Sequence, residues 1–170
     1  MPQPYDASLI TEGTVNEENM NLIQAVTQDA AEYLDLSLEE DTPDAIIAKV
    51  NETIRDIKLD RGNPFPEGED IEILLGCLWA SQLIKAMDFA WVEIDFNDEA
   101  DTKAIGLVSP TRNIAIYPFS FVHSCLTAGV ICTIALSYNM LKENGVESYY
   151  EPKQYGDLMA DVHHIVPPEA

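Results

Sequence analysis

Phe89-Ala-Trp-Val-Glu-Ile-Asp-Phe96 is where the chain changes its period. Before it, apolar residues recur every three or four positions. Within it, Val92, Ile94 and Phe96 alternate with Trp91, Glu93 and Asp95. A spacing of two marks a half-exposed strand, and a spacing of three and four marks an amphipathic helix. The stretch therefore divides a helical first half from a region of strands. Downstream, Ala104–Val108 and Asn113–Tyr117 read as two more short strands. They are joined by Ser109-Pro-Thr-Arg112, and the acidic run Asn97–Lys103 forms the turn before them. The expectation is a three-stranded antiparallel meander.

Three helices are expected upstream. The first runs from Glu17 to about Leu36, with Leu22, Val26, Ala30 and Tyr33 as its stripe and Asn16 as its N-cap. Thr42-Pro43 opens the second, a capping hydroxyl followed by Pro at the first helical position, and Ile46, Val50, Ile54 and Ile57 carry it to about Lys58. Arg61-Gly-Asn-Pro-Phe-Pro-Glu-Gly68 is a loop by composition. The third helix spans about Asp70 to Met87 on Ile71, Leu74, Leu75, Leu78, Ile84 and Met87, with Trp79 in the core. Gly76 inside it costs about 1 kcal/mol relative to Ala, which a close crossing by another element would explain.

After the strands, Pro118 opens a long helix expected to reach Asn144, where Asn144-Gly145 is a stop. Residues 1–15 show no sustained period and read as a loose arm. Residues 146–170 read as a tail whose Tyr149, Tyr150, Tyr155 and Leu158 cover part of the core. The chain of 170 residues is thus expected to be one α+β domain, about four helices packed on one face of a small sheet.

Composition narrows function by exclusion. Lys and Arg number 9 against 30 Asp and Glu, for a formal net charge of -21. Phosphate neutralisation requires basic residues, so nucleic acid is not the expected partner. No Asp, Glu, Lys or Arg lies between Arg112 and Lys142. That span is long enough for a membrane helix, but its Ser, Thr, His and Asn residues and its lack of flanking basic clusters favour a buried helix. No membrane association is expected. Met1–Ile10 lacks a basic then apolar leader, and Cys77, Cys125 and Cys132 are odd in number and set among apolar residues. These features read as reduced thiols in the cytoplasm.

Signatures of chemistry are incomplete. No C-x-x-C, H-E-x-x-H, G-x-S-x-G or phosphate loop occurs, and no metal or other cofactor is expected. Cys125 and Cys132 are expected two turns apart on one helix face, near His123, as core thiols. His163-His164 reads as a surface feature of the tail. Asp95, Asn97, Glu99 and Asp101 alternate like a calcium loop, but Ala100 and Gly106 stand where an EF-hand needs Gly and Glu, so a solvated turn is expected.

The stretch around the period change carries a resemblance. The helix Leu74-Leu-Gly-Cys-Leu78, the strand with Trp91 and Glu93, and the strand ending Ile116-Tyr-Pro118 before a helix resemble a small bacterial domain family of unknown function. The likeness spans about residues 70–126. It implies a helix–meander–helix arrangement and no catalytic residues. The chain departs from that pattern at His123-Ser-Cys, where basic residues would be expected. In type, the small, acidic chain resembles bacterial toxin-immunity proteins, which occlude a secreted toxin.

Charge is what remains to carry function. Residues 1–70 hold 17 acidic and 4 basic residues, the densest run being Glu39-Glu40-Asp41 followed by Asp44. The expected function is therefore a binding module and not an enzyme: an immunity-like inhibitor that covers a basic protein such as a toxin. Its expected contact residues are Glu39, Glu40, Asp41 and Asp44, with Glu93, Asp95, Asp98 and Glu99, and Trp91 as an exposed aromatic anchor. Two alternatives stay open: an adaptor or chaperone holding apolar segments on a Tyr-lined surface, and an enzyme pairing His123 with Cys125.

Overall fold

Helix α1 (Glu17–Tyr33) starts where the Asn16 side chain accepts from the N–H of Asn19 at 2.8 Å, with Glu17 and Glu18 at the positive end of the helix dipole. Thr42 caps α2 (Pro43–Lys58) through the N–H of Ala45, and Asp70 caps α3 (Ile71–Met87) through that of Ile73. Asp88 ends α3 in the left-handed conformation, and strand β2 (Ala90–Asp95) follows at once. The computed structural model describes residues 6–165, with side chains as far as 162.

The sheet is larger than the meander. Strands β2, β3 (Lys103–Val108) and β4 (Ile114–Ile116) pair antiparallel as expected. Two further strands, β1 (Thr11–Gly13) and β5 (Gly156–Asp157), flank them, giving the order β1-β2-β3-β4-β5. Strand β1 (Thr11–Gly13) comes from the stretch expected as a loose arm and pairs antiparallel with β2, Glu12 opposite Ile94. Strand β5 (Gly156–Asp157) comes from the tail and runs parallel to β4, so the sheet is mixed. Both additions are two or three residues long, too short for a period to show.

The long final helix is broken. Helix α4 (Pro118–Thr127) ends at Ala128, Gly129 follows at φ +71°, and α5 (Ile134–Asn144) starts afresh. Both Ala128 and Val130 donate backbone N–H groups to the carbonyl of Ser124, a left-handed glycine stop. Lys58 Nζ donates to the carbonyl of Val130 at 3.0 Å, and Asn51 Oδ1 accepts from the N–H of Ala135, so α2 holds the break. A last helix, α6 (Leu158–Ile165), makes six α-helices among the described residues where about four were expected. None of these helices is long and apolar enough to cross a membrane.

The helices lie against the sheet face bearing Trp91, Leu107, Ile114 and Ile116. Trp79, Leu75, Leu78, Ile46 and Ile54 are buried in that core. The α1 stripe is rotated from expectation: Ile23, Thr27, Ala30 and Ala31 are buried, whereas Leu22 is 60% exposed. Thr27 tolerates burial because its hydroxyl donates to the carbonyl of Ile23. On the other sheet face, Val92, Ile94, Val108 and Ala115 form a smaller core with Tyr155, Tyr117, Phe96 and Ile10. Glu12 reaches Arg112 through two N–H···O contacts of 3.0 Å, and the Tyr155 hydroxyl donates to it at 2.5 Å.

Gly76 answers the crossing expected of it. A Cβ there would stand 2.7 Å from Phe119 Cδ1 and 3.3 Å from the backbone carbon of Pro118. The Phe119 ring cannot move away freely, because its other contact is a stack on Trp91 at 5.6 Å between centroids. G76A should therefore lose stability by about 1–3 kcal/mol from overpacking, outweighing the helix-propensity gain. Urea melts at constant slope check this, and a raised midpoint would mean that the ring yields easily.

A second prediction concerns acid. Burial pushes the Glu12 carboxyl up, but the hydrogen bonds from Arg112 and Tyr155 outweigh it and hold the group below its ordinary range. A depressed native carboxylate stabilises the fold fully above the unfolded value, near pH 4.5, and less as pH falls through the native one. E12Q should cost about 1–2 kcal/mol at pH 7 and flatten the loss of stability below about pH 5. Melts of both proteins across that range check the sign; parallel curves would contradict it.

Candidate functional site

The first acidic group sits on the α1–α2 loop. The Asp41 carboxylate accepts from the N–H of Ser37 at 2.7 Å, and the Ser37 hydroxyl accepts from the N–H of Glu40. Lys85 Nζ donates to the carbonyl of Leu38, docking this loop beside the last turn of α3. Asp44 is exposed but engaged: it accepts from Lys142 and, at 2.9 Å, from the Tyr138 hydroxyl, joining α2 to α5. Those two hydrogen bonds, Lys142 first, hold its carboxyl below the ordinary range. Of the four expected contact residues, Glu39 and Glu40 are exposed with no side-chain partner among the described residues. Asp41 and Asp44 serve the fold.

The second group follows β2. Asp95 accepts from the N–H of Asn97 at 2.9 Å and faces Lys103 Nζ at 3.9 Å. Asp98 accepts from the N–H of Thr102 at 2.7 Å, the main cause of its lowered pKa. The Asn97 amide donates to the carbonyl of Leu9 and to Thr11, so the same turn holds β1. Glu99 is exposed at the turn, and Glu93 is exposed on β2 between Gly13 and Ile105. Neither has a side-chain partner among the described residues. The two acidic groups stand on separate elements, and no hydrogen bond or ion pair among the described residues joins them.

Trp91 is half-buried and faces the helices. Its ring stacks on Phe119 with 17° between planes and packs on the small core of Val15, Ile23 and Cys77. The alternation that places it beside Glu93 is correct, but this half of the sheet face is covered by α1 and α4. An exposed anchor is therefore not what its surroundings make of it.

Cations do little to offset the acidic surface. Arg112, Lys142, Lys103 and Arg61 each pair with a carboxylate of the chain, and Lys58 and Lys85 cap carbonyls. That leaves Lys49, Arg55 and Lys153 of the 9 basic residues without such a bond among the described residues.

The thiols and His123 are arranged differently from expectation. His123 is exposed on α4, its Nδ1 2.6 Å from Glu72 on α3, while Cys125 is buried. Because α4 ends at Thr127 and α5 starts at Ile134, Cys132 is not two turns along the same helix face but lies between the two helices, its thiol 3.3 Å from Asn51 Oδ1 on α2. The side chains of His163 and His164 lie outside the described residues. No group of three or more His, Cys, Asp or Glu among the described residues could share a metal ion.

Two hollows were not legible in the sequence. One of about 270 Å³ is lined by Tyr117, Ser120, Phe121 and Ser124 with Asp157 and Met159 from the tail. Burial raises the Asp157 carboxyl there. Another of about 320 Å³ is lined by Thr111, Tyr149, Tyr150 and Pro152. The hydroxyls of these two tyrosines are engaged within the chain, Tyr149 with the carbonyl of Met140 and Tyr150 with Asp161. Each hollow joins segments far apart in the chain, which spacing alone cannot reveal. Comparison with protein-family models, curated proteins and solved structures found no match.

Replacing Trp91 tests its place. W91A should cost about 2–4 kcal/mol, as for a large ring removed from a packed contact, while W91F should keep much of the stack. Denaturant melts measure both. A W91A variant as stable as the parent would return Trp91 to the free surface.

Proposed function

We propose that this chain is an acidic protein-binding module, an immunity-like inhibitor that covers a basic protein partner such as a bacterial toxin. The observation that carries the proposal is the imbalance among exposed charges. Glu39, Glu40, Glu93 and Glu99 are exposed without side-chain partners among the described residues, while six of the 9 cations bond to other groups of the chain. Unpaired exposed carboxylates project a field that attracts a basic surface and speeds encounter, and salt screens it. Occlusion needs no catalytic group: the carboxylates stand where a basic cleft would otherwise hold an acidic substrate.

Asp41, Asp44, Asp95 and Asp98 then act mainly by shaping the loops that present the free glutamates.

The test begins with the tagged chain and a lysate of its source, at about 50 mM and about 500 mM salt. The expected result is a basic protein retained at low salt and released at high salt, whose own activity the purified chain inhibits. Stopped-flow association with that protein should then slow about three- to tenfold for E39Q/E40Q or for E93Q/E99Q, with a shallower salt dependence. D44N should leave the association rate unchanged. Equal rates and salt slopes for all variants would make these glutamates a solvated face. Retention that salt does not alter would favour a surface holding apolar segments.

A further inference from the structure

The hollow between α4 and the start of α6 holds a carboxylate without a counter-charge. Its volume is about 270 Å³, and its wall is mainly apolar, with the rings of Tyr117 and Phe121 beside Val130 and Met159. That wall is fixed from behind. Trp79 backs the Phe121 ring at 5.6 Å between centroids, and Lys58 Nζ holds the Val130 carbonyl at 3.0 Å. Asp157, Ser120 and Ser124 also line the hollow. Asp157 ends β5, and its Oδ1 accepts from the N–H of Ala160 at 3.2 Å, which caps α6. Its Oδ2 has no hydrogen-bond partner among the described residues, and no Lys or Arg there pairs with it. Ser120 and Ser124 stand one turn apart on α4, their hydroxyls likewise without partners among the described residues.

We propose that this hollow binds a small primary amine with an apolar body, its ammonium on Asp157, Ser120 and Ser124 and its body against Phe121, Val130 and Met159. A water takes about 30 Å³ of liquid, so the space suits a ligand of about nine heavy atoms. A ring of that size on a short aminoalkyl arm fits this description. A lysine side chain, with only its narrow four-methylene stem, would leave much of the space unfilled. The ligand is therefore a free amine and not a residue of a protein partner.

The match is one of number and sign. An ammonium carries three donors, and Asp157 Oδ2 with two serine hydroxyls makes three acceptors on one hollow. Bonds from an ionised donor to a carboxylate are about twice as strong as neutral ones, more so where an apolar wall excludes water. The surroundings of Asp157 are consistent with a missing cation. Burial pushes its carboxyl up, the Ala160 N–H pulls it down, and the nearby charge of Asp161 adds to the rise. Asp161 itself accepts from the Tyr150 hydroxyl. A bound ammonium would offset both the burial and the neighbouring charge. None of Glu39, Glu40, Glu93 or Glu99 lines the hollow, so this inference stands apart from the covering of a basic protein.

The experiment titrates the full, nitrogen-15-labelled chain with phenethylamine at pH 7 and about 150 mM salt, following backbone amide shifts. The expected result is saturable shifts at Ser124, Val130 and Ala160, with a Kd of about 1 mM or tighter. The alcohol 2-phenylethanol, of the same shape without the charge, should bind at least about tenfold more weakly, and D157N should weaken the amine as much. Asn also caps a helix, so D157N keeps the start of α6, and its amide spectrum shows the fold intact. S120A/S124A should weaken the amine about threefold or more. Nα-acetyl-lysinamide should bind at least about fivefold more weakly than phenethylamine, for want of apolar contact. The proposal is overturned if no saturable shift occurs at the hollow, or if the shifts spread over the acidic loops instead. Equal binding of the alcohol, or unchanged binding in D157N or in the double serine variant, also overturns it. Equal binding of the lysine derivative would give the hollow to a protein side chain and overturn the free amine.

Discussion

Gly76 has no side chain, and the ring of Phe119 fills the space where one would stand. That contact sets how closely the start of α4 can approach α3. It also places Phe119 between α3 and Trp91, so one ring joins two helices to the sheet. Pro118 fixes the entry to α4 directly after β4, which leaves the chain little freedom in where that ring goes. The helical layer and the sheet thus share a register determined at a few atoms. Interiors are packed too tightly for such a contact to shift without its neighbours.

The remaining elements are fastened by polar groups. Glu12, Arg112 and Tyr155 tie β1, the β3–β4 turn and the tail across the smaller core. Buried Asn113 accepts from Ser109 and donates to the carbonyl of Val146, so the turn and the end of the α5 segment are held by one amide. Neither short edge strand has enough apolar area to hold itself in place, and two or three ladder bonds contribute little after the ordering entropy is offset. Charge-assisted bonds at 22–32% side-chain exposure are stronger than those fully in water. The sheet therefore reaches five strands through side chains as much as through its ladder.

Much of this architecture was legible. Asn16 and Thr42-Pro43 announced two helices because a cap is a local device, satisfied within three residues, and the apolar spacing from Ile71 to Met87 announced the third. The alternation at Val92 and Ile94 showed the central strand because a half-buried strand must sort its faces. The misses share a cause. Thr11–Gly13 and Gly156–Asp157 are strands only because a neighbour offers an edge, and no short stretch encodes that. Gly129 breaks the last helix within an apolar, uncharged run whose continuity points to one long helix. Trp91 shows the limit of alternation: it told which residues share a face, but not which part of that face a helix covers. The acidic surface was legible as composition, and only the three-dimensional arrangement separates Glu39 and Glu40 from Asp44.

That separation bears on how so acidic a chain folds. A net charge of -21 disfavours a compact state through self-repulsion. The few cations are placed where each also closes a structural joint: Lys142 between α2 and α5, Arg112 across the sheet, Lys58 at the helix break, Lys85 on the acidic loop. Each such bond fixes an element while its cation stays at a partly exposed site: the Lys142 side chain keeps 53% of its surface and that of Arg112 32%. The pairs neutralise particular carboxylates without changing the net charge, so the stabilising effect of each cation is local and the remaining acidic side chains set the exterior field.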